Sequence, residues 1–259
     1  MMTYKWRYID DGPGEASFNM AVDEAIAQHV LAGTVPPTLR FYGWKGHCIS
    51  LGRFQKRSDI DIEYCKRMMI NIVRRPTGGR AILHGEELTY SFCSGISGSD
   101  HFRDLSGSYT ALSMVFDGAF KRLDIETRVR DKREKGKVLS KASNCFDAVS
   151  VGEITLSGQK IIGSAQKRFR NGFLQQGCIP LSIDKDISSS VFGRHGTMPG
   201  LLSLTESLDI ERLKNAIFHE ISSFFSVELK HSELTESEVD LARELQEKKY
   251  SSTHWTDQR

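Results

Sequence analysis

Eleven consecutive residues constrain this chain most: Arg74, Arg75, Pro76, Thr77, Gly78, Gly79, Arg80, Ala81, Ile82, Leu83 and His84. Two arginines end an apolar run, a Gly-Gly turn follows, and a new apolar run leads to a histidine. Gly78 and Gly79 reach backbone angles closed to other residues and let a ligand approach the main chain. Arg75 and Arg80 bracket the turn with fixed positive charge. Such a turn suits an acyl chain or an anion lying against bare backbone. Taken alone, Gly-Gly is more often an ordinary hairpin turn with solvated arginines.

A second block changes that balance: Gly158, Gln159, Lys160, Ile161, Ile162, Gly163, Ser164, Ala165 and Gln166. The two blocks together, in this order, resemble the signatures of the lipoate ligase and octanoyltransferase superfamily. The resemblance runs from about Trp6 to about Trp255. It implies an α/β (α+β) fold of mixed, largely antiparallel sheets flanked by helices, the class II synthetase-like fold of lipoate and biotin ligases. It also implies that Arg75, Thr77, Gly78, Gly79, Arg80, Ala81 and His84 form one side of an acyl site. It further implies that Lys160 reaches the acyl carbonyl or acyl phosphate; the small Gly163, Ser164 and Ala165 after it would let backbone N–H groups approach a substrate oxygen.

The rest of the chain fits a protein of that kind. Its 259 residues make one large domain or two small ones, with a formal net charge of +2. That charge is too small to imply nucleic acid. No run of 18 apolar residues is present, so no transmembrane helix is expected. Met1 to Asp10 lack the apolar core of a signal peptide, and the expected compartment is the cytoplasm. The five cysteines (48, 65, 93, 145 and 178) show no metal-ligand spacing and no CxxC pair. An odd count in a reducing compartment argues against a disulfide framework, and no metal is expected.

Hydrophobic periodicity supports mixed α and β structure. Ser17 is expected to cap a helix that carries Phe18, Ala21, Val22, Ala25, Ile26 and His29 and closes at Gly33. Leu39 to Trp44, Cys48 to Leu51, Ile70 to Arg75, Arg80 to His84, Glu87 to Ser94 and Phe173 to Leu181 read as strands. Asp61 to Met68 reads as a short helix, and Tyr109 to Leu123 as one of about four turns. Glu153 to Leu156 and Lys160 to Arg168 flank Ser157-Gly158 as a hairpin. Asp209 caps a second long helix. Thr235 and Glu238 form a capping-box pattern ahead of Val239, Leu241, Ala242 and Leu245. The expected division is a catalytic domain over residues 1–230 and a short helical extension over 231–259, packed on it.

Cys145 lies in Ser143-Asn144-Cys145-Phe146-Asp147, after a polar, basic loop rather than inside an apolar run. Lone cysteines are usually small buried hydrophobes. Here a nearby ammonium on Lys160 would favour thiolate, the species that attacks. Cys-Phe-Asp ahead of the lysine block resembles the motif of the LipM-type octanoyltransferases. That resemblance implies Cys145 as nucleophile, with Lys160 as the base if it is desolvated beside an acyl tunnel. Arg128, Arg130, Lys132, Arg133, Lys135, Lys137 and Lys141 form a basic stretch leading into Cys145. It reads as a solvated loop or as a docking patch for an acidic protein.

The resemblance implies transfer of octanoyl from acyl carrier protein, through a Cys145 thioester, to a lysine of a lipoyl-domain protein. Glycine cleavage H protein and dehydrogenase E2 are the acceptors it suggests. No cofactor is needed, no nucleic acid or membrane takes part, and a monomer is expected. Alternatives are an octanoyl amidotransferase between lipoyl domains, an ATP- and magnesium-dependent lipoate-protein ligase, and a binding protein without turnover. The ligase motif has a third small residue after Gly-Gly and then His-Asp, any residue, Gly-Asn. Here Arg80 follows Gly79, and Gly85-Glu86-Glu87-Leu88-Thr89 follow His84, which favours the transferase. The other octanoyltransferase branch would place its cysteine near Phe173, where no nucleophile stands.

Overall fold

The computed structural model describes residues 4–130, 153–193, 200–205 and 208–258. Strand β1 (Tyr4–Gly14) leads into helix α1 (Ala16–Ala32), followed by β2 (Thr38–Trp44) and β3 (Cys48–Leu51). Then come α2 (Ile62–Arg67), β4 (Asn71–Arg74), β5 (Ile82–His84), β6 (Glu87–Gly95) and α3 (Leu105–Lys121). Three short strands follow, β7 (Arg128–Val129), β8 (Ile154–Leu156) and β9 (Gln159–Lys160), and two longer ones, β10 (Gly163–Phe169) and β11 (Gly172–Pro180). After them run α4 (Lys185–Phe192), α5 (Ile210–Phe225), β12 (Val227–His231), α6 (Glu236–Leu245) and α7 (Thr253–Thr256).

Six strands make the main sheet, in the order β10-β11-β6-β2-β1-β12. Its β10/β11, β11/β6 and β6/β2 pairs are antiparallel, while β2/β1 and β1/β12 are parallel. A three-stranded sheet, β4-β3-β5, carries both sides of the Gly-Gly turn. A third, β7-β8-β9, is antiparallel and carries Lys160. This is the mixed, largely antiparallel α/β architecture expected from the sequence.

The period-2 alternation of the strands decides what each face of the main sheet packs against. Leu88, Tyr90 and Phe92 of β6 and Leu39 and Phe41 of β2 face one core, with Leu112, Val115 and Phe116 of α3 and Leu213, Ile217 and Ile221 of α5. Tyr42, Trp44 and Cys93 face the other, under Met20, Val22 and Ile26 of α1. The small sheet has its own core with α2 and α4, built on Ile49, Leu51, Cys65, Ala81 and Val191.

Several local expectations shift. Ser17 is not the cap of α1: the extended Glu15 holds that position without a side-chain hydrogen bond. Ser17 lies inside the first turn and accepts a hydrogen bond from Gln246 at 3.1 Å. Gly33 closes the helix at φ 73°, as its sequence position indicates. The run from Lys160 to Arg168 is not one strand. Lys160 ends β9, the buried Ile161 and Ile162 step between sheets, and β10 begins at Gly163. Strand β1 has no apolar run and α4 is short and polar, so neither announces itself in the periodicity.

Candidate active site

The Gly-Gly turn is held from inside by the arginines that precede it. Arg75 donates to the carbonyls of Ser50 (2.7 Å), Gly78 (2.8 Å) and Arg80 (2.6 Å). Arg74 is fully buried and donates to the carbonyls of Gly52 and Gln55, at 2.8 and 2.7 Å, and to that of Thr256 at 2.8 Å. The Trp255 indole closes the same contact by donating to the Arg74 carbonyl at 2.8 Å. Gly79 stands at φ 85°, and its carbonyl would lie 1.8 Å from any Cβ placed on Gly52. Two backbone segments therefore meet here with no room for a side chain. Thr77 ties the turn to the main sheet through Gln176 (2.8 Å), which donates to Asp23 of α1 at 2.6 Å.

Under this turn lies a narrow cavity between the small sheet and the α1 face of the main sheet. Met20, Tyr42, Trp44, Ile82 and Ala165 supply its apolar wall, and Ser50, Arg75, His84 and Thr89 its polar one. The polar wall is internally paired. Ser50 Oγ accepts from Arg75 at 3.0 Å and lies 2.7 Å from His84 Nε2. His84 Nδ1 lies 2.7 Å from Glu87 Oε1. Because a guanidinium only donates, Ser50 Oγ accepts from Arg75, and the imidazole bridges that hydroxyl and the Glu87 carboxylate through its two ring nitrogens. Trp44 stacks on the His84 ring at 4.0 Å and donates to the same carboxylate at 3.1 Å. His84, Glu87 and Cys178 lie close enough to share an ion, yet Glu87 is already engaged by His84, Trp44 and Thr89.

Lys160 does not line that cavity. It is buried in the β8–β9 hairpin, whose turn at Ser157 and Gly158 takes φ 50° and 77°, and its ammonium pairs with Glu153. Glu153 in turn lines a second narrow cavity, with Tyr90, Tyr109, Phe116 and Ile162. Ser164 lines both cavities. Its hydroxyl lies 2.8 Å from that of Tyr90, which accepts from Gln175 at 2.9 Å. Burial pushes the Tyr90 phenol up to about 12 against the pull of these two bonds, so it stays a neutral donor. The Tyr90 ring lies across Gly177, where a Cβ would come within 2.5 Å of it.

The structure thus brings Arg75, His84, Ser164 and Ala165 to one cavity. Gly78, Gly79 and Arg80 form the turn above it, and Thr77 reaches it through Gln176. Ala81 packs into the core of the small sheet, and Gly163 opens β10 opposite Cys178. Among the described residues β10 pairs only with β11, so alternate N–H groups point away from the ladder, where a substrate oxygen can use them. Cys145 lies outside the described residues, as do Lys132, Arg133, Lys135, Lys137 and Lys141 of the basic stretch. Sequence reasoning missed Ser50, Glu87, Gln176 and Glu153. Glu87 stands three residues after His84, a spacing that signals a paired histidine; the others reach the site only through sheet pairing.

No helix among the described residues is long and apolar enough to cross a membrane. Residues 15–222 match the family model of the lipoyl protein ligase A/B catalytic domain. The chain is 34 % identical to the octanoyltransferase LipM of Anoxybacillus flavithermus, over 96 % of this chain and 97 % of that one. It is 35 % identical to the octanoyltransferase LipM of Carboxydothermus hydrogenoformans, again over 96 % and 97 %. The solved structure of protein Ta0514 from T. acidophilum with bound lipoic acid superposes with a TM-score of 0.80 at 25 % identity, covering 99 % of this chain and all of that one. On fold, motifs and full-length similarity alike, this chain belongs to the lipoyl protein ligase A/B catalytic-domain family.

Proposed function

We propose that this chain is an octanoyltransferase of protein lipoylation. It takes octanoyl from the thioester of acyl carrier protein onto Cys145 and passes it to a lysine of a lipoyl-domain protein. The observation that carries the reading is the apolar cavity under the Gly-Gly turn, with Ser164 at its rim and the buried Lys160 ammonium in the adjoining hairpin. The Met20, Tyr42, Trp44 and Ile82 wall suits the alkyl part of an acyl chain. Edge-strand N–H groups at Gly163 to Ala165 suit the carbonyl, and Lys160 supplies a cation for the thiolate and a proton for the leaving thiol. The names of the full-length relatives support the same activity. Neither ATP nor a metal is consumed, and the chemistry fits a protein of the cytoplasm working as a monomer.

Mass spectrometry of the intact protein tests this. Incubated with octanoyl carrier protein and no ATP, the protein gains the mass of one octanoyl group, and Cys145→Ala does not. Transfer from the loaded protein to a lipoyl domain follows. Loading only from free octanoate with ATP would make the chain a ligase. Undiminished loading of Cys145→Ala would remove the nucleophile.

A further inference from the structure

Three cations gather beside the acyl cavity, each a short step along the fold from its wall. Met20 of α1 lines the cavity, and Glu24, one helical turn on, holds the Lys249 ammonium at 2.6 Å. Ala165 of β10 lines it, and strand alternation sets Lys167 on the same face. Arg53 follows Gly52, the residue packed against the Gly79 carbonyl, and its backbone N–H donates to the Thr77 carbonyl at 2.8 Å. We propose that Arg53, Lys167 and Lys249 seat an acidic face of the carrier protein that delivers octanoyl. The proposal rests on the transfer reading above and names the surface that receives its first substrate.

Three observations carry it. First, the cluster holds an excess of positive charge. Its one carboxylate, Glu24, accepts from both Lys249 and the Tyr250 hydroxyl at 2.6 Å. Among the described residues, Arg53 and Lys167 have no carboxylate partner. Burial holds the Lys167 ammonium below its ordinary value; Glu24 pulls the other way, and the charges of Lys249 and Arg53 add to the lowering. An incoming carboxylate relieves that mutual repulsion.

Second, the cations are held in place before any partner arrives. The Arg53 guanidinium and the Lys249 ammonium both lie on the Trp255 ring, at 4.3 and 4.0 Å, and Lys167 lies over the Phe169 ring at 4.8 Å. Side chains fixed in this way lose little freedom on docking. Phe54, beside Arg53 and 65 % exposed, adds an apolar contact next to them. Third, the charge sign selects the donor. An acceptor lysine presents an ammonium, which the cluster repels, whereas the carrier's arm is neutral apart from its phosphodiester. A carrier seated against β10 and the Gly-Gly turn holds its acyl arm next to the cavity.

Three octanoyl donors test this: octanoyl carrier protein, octanoyl-coenzyme A, which has phosphates but no protein, and octanoyl-N-acetylcysteamine, which has neither. Lys167→Glu should raise the KM for loading from octanoyl carrier protein about tenfold or more and change it less than about twofold for the other two. Lys167→Arg keeps the charge and should load as the wild type does. Normal loading from octanoyl-N-acetylcysteamine also shows that the variant is folded. If Lys167→Glu does not fold, the milder Arg53→Gln carries the same comparison, with a rise of about threefold for the carrier donor alone. Equal losses with octanoyl-coenzyme A would make the cluster a phosphate site. Equal losses with all three donors would place Lys167 in the acyl site. Unaltered loading with slower transfer to a lipoyl domain would give the surface to the acceptor. Each of these overturns the proposal, as does an unchanged KM for the carrier donor. Failure of the wild type to load from any donor would instead overturn the transfer reading.

Discussion

Two glycines near the turn do different work, and single methyl groups tell them apart. Gly52 has the Gly79 carbonyl 1.8 Å from its missing Cβ, and that obstacle is backbone, which cannot swing aside. Gly52→Ala should cost more than about 2 kcal/mol of stability, read as a lowered midpoint in urea. Gly78 has open space within 4 Å of the same position. Gly78→Ala should melt within about 0.5 kcal/mol of wild type and still load octanoyl more slowly, because the added methyl stands in the open space on the side of the turn proposed to face the acyl chain. Equal stability losses in both would place the turn's role in folding alone. The paired polar wall has a similar division of labour. Arg75, Ser50, His84 and Glu87 form a continuous hydrogen-bonded row, and Arg75 at its head also holds the turn's carbonyls. This row was not legible in the sequence. It showed the arginine and the histidine, but the serine between them comes from β3, 25 residues before Arg75.

Elements whose ends are set by local chemistry were the readable ones. Asp61 and Asp209 cap α2 and α5, and the Thr235–Glu238 capping box starts α6. Each needs only neighbours within three or four residues. The step from β9 to β10 was not readable, because Ile161 and Ile162 suit a strand equally well whichever sheet the flanking residues join. Glu238 also has a distant partner: it forms a buried ion pair with Arg7 of β1. Burial raises its carboxyl, but hydrogen bonds from Arg7 and Thr235 and the Arg7 charge outweigh that and leave it below the ordinary range. The lowered value means the unfolded chain binds the proton more readily. The stabilisation is therefore complete above the ordinary carboxylate value of about 4.3 and lost as pH falls through the lowered value in the folded protein. Glu238→Gln should destabilise the protein at pH 7 by about 3–5 kcal/mol, the range for breaking a buried pair. It should also flatten the acid limb of a stability–pH curve measured by urea titration. An unchanged acid limb would show that other carboxylates govern it.

At the scale of the molecule, the fold class followed from strand runs broken by a few long helices, while the site did not follow from any one segment. It is assembled from α1, the small sheet, β6 and the β10–β11 pair, brought together by pairings across 80 or more residues, such as Thr89 with Cys178. Residues late in the sequence take part as well. Arg74, at the root of the Gly-Gly turn, gives donors to the Thr256 carbonyl, and Trp255 returns one to Arg74. A chain truncated after Tyr250 should keep its far-ultraviolet circular dichroism and its main-sheet core, yet lose octanoyl loading by at least about tenfold, since two donors of a buried arginine are left unmatched. Full loading by that truncated chain would free the turn from its clasp. The clasp also sets an order of events at the ribosome. A nascent chain can lay down the turn, the cavity walls and the lysine hairpin long before translation supplies the residues that lock Arg74. Fragments that stop short of Trp255 would therefore carry the Gly-Gly turn and the lysine hairpin and still leave Arg74 without the Thr256 carbonyl, so the turn is locked only once that stretch has been made.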